Sequence, residues 1–145
     1  MTTIEHSIVI DRPVEEVFAY VSDWGKQADW QPDILESKVI TEGPIGVGSK
    51  AQEVRQFLGR KMETIIEVTA YEKDKSFTIK SNEGPVAFEA VQTFERVEGG
   101  TKVSIHAEAE TGGFFKLAEP LVARSVKKQF EEDFERLKKL LEAEG

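Results

Sequence analysis

The chain has no cysteine, so disulfides and thiolate metal sites are excluded, and a reducing, cytoplasmic setting is the expectation. It has only two histidines, His6 and His106, far apart and outside any His-Glu-x-x-His pattern. That leaves little from which to build a catalytic metal centre, and no metal or cofactor is expected. No run of ~18 apolar residues and no N-terminal apolar segment of the secretory type is present, which argues against a membrane span and against secretion. Basic residues are in deficit, 19 against 27 acidic ones, for a net charge of -8. A field of that sign repels phosphate backbones, so nucleic acid is not an expected partner. The Gly46-x-Gly48 pair lacks the further glycine and the lysine of a phosphate loop and reads as a turn.

What is present is an ordered series of amphipathic segments, with no repeats, low-complexity tracts or linkers. A length of 145 residues suits one domain with a core and a modest pocket. Residues 2–10 alternate, with Ile4, His6, Ile8 and Ile10 on one face and Thr3, Glu5 and Ser7 on the other, which predicts a half-buried strand. Pro13 then starts a short helix, with Glu15 and Glu16 complementing its N-terminal dipole and Val14, Val17, Phe18 and Val21 on its buried side. The stretch from Ser22 to Pro32 reads as a second short helix or turn carrying both tryptophans, Trp24 and Trp30.

Strand-like runs follow at 34–41, 49–57, 60–71, 76–81, 86–97 and 101–110, separated by glycine-rich breaks, the last of them Gly99-Gly100 and Gly112-Gly113. Met62, Thr64, Ile66 and Val68 share one face, as do Phe77 and Ile79, then Phe88, Ala90, Gln92 and Phe94, then Val103, Ile105, Ala107 and Ala109. From about Leu117 to Glu142 the residues Val122, Val126, Phe130, Phe134, Leu137 and Leu141 recur at helical spacing, with Pro120 tolerated in the first turn. One strand, short helices, six more strands and a long helix predict an α+β fold: a seven-stranded antiparallel sheet wrapped around the C-terminal helix.

The proline-started first helix, Asp23 followed by Trp30-Gln31-Pro32, Leu58-Gly59-Arg60, the run from Phe94 through Gly99-Gly100-Thr101, and the ending from Leu137 to Glu142 carry a resemblance to the helix-grip superfamily. That superfamily includes the StAR-related lipid-transfer domains, the birch-pollen allergen family and the polyketide cyclase/dehydrase group. The resemblance implies an apolar cavity between sheet and helix that takes lipids, sterols, hormones or polyketides. In cyclases of the group, inward arginines and tyrosines orient the substrate; here Arg55, sharing a face with Ala51 and Phe57, is the only mid-strand arginine with an inward direction.

Alternation and helix phase direct Met62, Ile66, Phe77, Phe88, Gln92, Phe94, Phe130 and Asp133 toward one interior, and Trp30 and Arg55 are added as candidate ligand contacts. Gln92 supplies the orienting hydrogen bond that an apolar pocket lacks, or serves structure alone. Asp133 lies on the buried stripe: it either meets the cavity, where desolvation raises its pKa, or pairs with a nearby cation. His6 reads as a core histidine, and His106 points outward. Phe114 and Phe115 form a movable lid or ordinary helix-end packing. The inward positions hold few acid-base groups, which favours binding a hydrophobic small molecule. The alternatives are a cyclase or dehydratase using Asp133, Gln92 and Arg55, and a chaperone-activator-like interaction module using its surface.

Overall fold

The computed structural model describes residues 2–57, 59–83, 86–111 and 119–143. The expected helix start at Leu117 and the Gly112 to Phe115 segment lie outside them. In chain order the elements are β1 (Thr2–Ile10), α1 (Val14–Val21), a single 3-10 turn (Trp24–Lys26), α2 (Gln27–Trp30), β2 (Ile34–Val39), β3 (Lys50–Phe57), β4 (Arg60–Glu72), β5 (Ser76–Glu83), β6 (Val86–Val97), β7 (Gly100–Thr111) and α3 (Glu119–Ala143). The seven strands form one sheet in the order β1-β7-β6-β5-β4-β3-β2, with every neighbouring pair antiparallel. The fold is the expected α+β arrangement.

Register carries the alternation across the sheet. Ile4 faces Ala107 and Ile8 faces Val103; Ala107 also faces Ala90, and Val103 faces Phe94. One face is therefore continuously apolar, while Glu5, His106 and Glu89 stand on the other. In β4 the pairing to β5 shifts between Ile65 and Glu67 and again between Val68 and Ala70. Such bulges increase local twist and bend the strand, which lets a sheet curl around a helix. The same irregularity carries β5 on to Glu83, beyond the expected end at Ser81, and β2 stops at Val39, two residues short of the expected Thr41.

Short-range chemistry sets the helix ends. Pro13 precedes the first helical residue of α1 in an extended conformation, and Glu15 and Glu16 occupy its first turn. The Asp23 carboxylate accepts from the Gly25 N–H at 3.0 Å and caps the 3-10 turn. Gln27 donates from Nε2 to the Val21 carbonyl at 2.8 Å, satisfying a group left over at the end of α1.

The core has two ends. At one, α1 presents Phe18 to Phe94, Tyr71 and Phe77 at ring separations of 5.0, 5.6 and 6.0 Å, all edge-on. Leu137 and Leu141 of α3 close this end without solvent exposure. At the other end the α3 stripe loosens: Ala123, Val126 and Phe130 are only half-buried and face a cavity. Packing density therefore falls along α3 from its C-terminal to its N-terminal half. No described helix is long and apolar enough to cross a membrane.

Candidate functional site: a cavity between sheet and helix

A cavity of about 230 Å³ lies between α3 and the sheet, walled by residues from β1, β3, β4, β5, β6 and β7 together with the 3-10 turn, α2 and the loop after it. Its floor and sides are Ile4, Ile66, Phe77, Ile79, Phe88, Ala90, Ile105, Ala107 and Ala109, all inward positions of their strands. Of the ten residues expected at the site, the structure brings nine onto this wall: Trp30, Arg55, Met62, Ile66, Phe77, Phe88, Gln92, Phe130 and Asp133. Phe94 is not among the residues that line the cavity. It faces inward as alternation requires, but it sits two residues further along β6, under α1, stacked on Phe77 at 5.9 Å and edge-on to Phe18. The α1 lid fills the space that would otherwise make Phe94 part of the wall.

The wall carries a polar girdle that is richer than expected. On β3 the inward face holds Ala51, Glu53 and Arg55, and Glu53 joins the cavity lining with Asp33 and Gln31 from the loop after α2. Arg55 donates from Nε to Glu53 Oε1 at 3.0 Å and from Nη2 to Gln31 Oε1 at 2.9 Å. Gln31 in turn donates to Gln27 Oε1 at 2.6 Å. This chain of hydrogen bonds runs from the end of α1 through α2 to β3 and holds the short helix over the cavity. Glu53 was missed in the sequence although its i, i+2 spacing from Ala51 and Arg55 marks it; Gln31 and Asp33 lie outside any periodic segment.

Asp133 does both things left open for it. It is 2% exposed, lines the cavity, and accepts on Oδ1 from Gln129 Nε2 at 2.8 Å and from Arg136 Nη1 at 3.2 Å. Arg136 also donates to the Trp30 carbonyl at 3.2 Å, tying α3 to α2. Burial pushes the Asp133 carboxyl up to about 6, against the opposing pull of the Gln129 hydrogen bond and of the Arg55 and Arg136 charges. A carboxyl whose folded pKa exceeds its unfolded value binds more protons when folded. Its contribution is fully present below pH ~4 and is lost as pH rises through about 6, up to ~3 kcal/mol in all. The Asp133→Asn substitution keeps an acceptor for both donors and removes the titration. Thermal melts of this variant between pH 4 and 8 should therefore show a wild-type-minus-variant stability difference that falls with rising pH; a difference independent of pH would refute the buried-acid assignment.

The remaining expectations fall into place by face. His6 packs its ring 5.5 Å from that of Phe134. His106 stands outside, between Glu108 at 3.2 Å and Glu5 at 2.7 Å, and these hydrogen bonds raise its pKa. Trp24 is buried with Ala51, Ile66 and Val68 and reaches the cavity edge. In the loop between β2 and β3, Gly43 and Gly48 adopt positive φ, and Ile45 packs back on the Trp24 cluster.

A curved antiparallel sheet gripping one long helix around an apolar cavity defines the helix-grip class. The chain belongs to the polyketide cyclase / dehydrase and lipid transport family, whose sequence pattern matches residues 1–142. Among solved structures it is similar to TTHA0849 from Thermus thermophilus, at 18% identity and a TM-score of 0.86 over 99% of both chains. A conserved protein from Geobacillus kaustophilus superposes with a TM-score of 0.83 at 20% identity, covering 99% of this chain and 96% of that one. Ara h 8.0201 superposes with a TM-score of 0.74 at 17% identity over 97% of both. These likenesses show the fold alone. No curated protein matches the sequence.

Proposed function

We propose that the chain binds a hydrophobic small molecule, lipid-like or aromatic, in the cavity between the sheet and α3. The observation that carries this reading is the cavity itself. Protein interiors pack with few voids larger than a water, so a space of about 230 Å³ walled mostly by apolar side chains departs from ordinary core packing. An apolar ligand seated there would take the apolar side chains of the wall out of contact with water, which favours binding. The size is just under the ~300–1,000 Å³ of drug-sized ligand pockets, which suits a compact skeleton of a few fused rings or a short chain.

Binding of an apolar fluorescent probe tests the reading. Phe88→Ala widens the wall and should change probe affinity several-fold, whereas His106→Ala, on the opposite face of the sheet, should leave it unaltered. Loss of binding in the His106 variant together with none in the Phe88 variant would reverse the face assignment.

A second reading, an acid-base enzyme of cyclase or dehydratase type, is supported by one observation: a carboxyl on the cavity wall with its pKa near 6, where proton donation and acceptance are both accessible close to neutral pH. Asp133→Asn separates the two. A binding protein keeps its probe affinity in this variant, and an enzyme loses turnover while keeping substrate binding.

A further inference from the structure

Two buried polar atoms on the cavity residues have no hydrogen-bond partner: Gln92 Oε1 and Trp30 Nε1. Gln92 is 6% exposed and Trp30 2%, and both residues line the cavity. Buried polar groups in folded proteins are almost always paired, because an orphan forfeits its hydration without return. These two are complementary in kind: an indole N–H can only donate, and an amide oxygen only accepts. Charge on the wall narrows the choice. Asp33, Glu53 and Asp133 line the cavity, and among the described residues Arg55 is the one cation that does. Its guanidinium is already held by Glu53 and Gln31.

Building on the binding function proposed above, we propose that the cavity is specific for neutral hydroxylated ligands: apolar molecules bearing a phenol or alcohol group. A hydroxyl donates to Gln92 Oε1 and accepts from Trp30 Nε1, so it serves whichever of the two it reaches, whereas an ammonium can only donate and an ether only accept. The hydroxyl serves equally well if the Gln92 amide is turned to present its NH₂ group. A carboxylate head meets Asp33, Glu53 and Asp133 on the wall and an arginine already paired with Glu53, and so is disfavoured. A hydrocarbon, or an ether that accepts but does not donate, leaves the Gln92 oxygen unpaired.

The test is a matched probe set measured by calorimetry on the intact chain: naphthalene, naphthol, methoxynaphthalene, naphthoate and naphthylmethylamine. Naphthol should bind about tenfold tighter than naphthalene and methoxynaphthalene, with naphthoate weakest. Gln92→Leu and Trp30→Phe, which remove the acceptor and the donor respectively, should each shrink the ratio of naphthol to naphthalene affinity, and an unchanged ratio in both variants would overturn the assignment of the hydroxyl to these two atoms. Equal binding of naphthol, methoxynaphthalene and naphthalene would overturn the hydroxyl preference and leave the apolar binding function standing. Tightest binding of naphthoate or of the amine would overturn neutrality in the same way. Binding of none of the five, nor of any apolar fluorophore, would bring down both proposals. If Gln92→Leu does not fold, the wild-type ranking and Trp30→Phe decide the matter.

Discussion

Gly100→Ala should lower stability by at least ~3 kcal/mol in urea melts, or prevent folding, while Gly99→Ala, one residue away, should cost only ~1 kcal/mol. Both glycines have positive φ, +92° at Gly99 and +133° at Gly100, in the hairpin between β6 and β7. A Cβ on Gly99 meets open space, so that substitution carries backbone strain alone. A Cβ on Gly100 falls 2.0 Å from the Ile10 carbonyl oxygen and 2.9 Å from the Asp11 Cα. Both are main chain, at the point where β1 hands over to α1, and they have no rotamer through which to retreat. Thr101, fully buried beside it, donates from Oγ1 to the Arg12 carbonyl at 2.8 Å and fixes the same junction from the other side. The hairpin therefore serves as the seat on which the first strand turns into the lid helix. Equal losses for the two alanine variants would show that the close approach relaxes freely.

The strand faces were legible because each strand is buried on one side only: the period-2 pattern in Ile4, His6, Ile8 and Ile10 or in Phe88, Ala90, Gln92 and Phe94 is the direct imprint of that half-burial. Depth along a strand leaves no such imprint. Gln92 and Phe94 have the same inward phase, yet one lines the cavity and the other is sealed beneath Phe18, because α1 covers only one end of the sheet. The polar girdle divides the same way. Arg55 and Asp133 were visible as interruptions of apolar faces. Glu53 carried the same signal on β3, and Gln129 stood one helical turn before Asp133. Gln31 and Asp33 sit in a connection with no period at all, and Gln31 is held at the wall by hydrogen bonds to Gln27 and Arg55. The bulges of β4, which bend the sheet, have no sequence mark of their own.

Phe134→Ala should cost ~3–5 kcal/mol and Phe130→Ala only ~1–2 kcal/mol, although the two lie four residues apart on one stripe of α3. Phe134 is 2% exposed, with the rings of His6 at 5.5 Å and Trp30 at 5.8 Å, so truncation strips contacts from β1, α2 and α3 together and leaves a hole among atoms that cannot close it. Phe130 is half-buried and already borders empty space. Its removal enlarges a cavity that exists and forfeits only part of the burial. Binding should divide in the same way. Phe130→Ala remains folded and should accept larger apolar probes, since its ring bounds the cavity. Phe134→Ala, where it still folds, should lose affinity even for small probes, because Trp30 rests on that ring and its indole forms part of the wall. Chemical denaturation paired with probe titration reads both quantities from the same samples. Equal stability losses would mean that packing density does not fall along α3, and the cavity would then be a gap that closes when its walls are cut back.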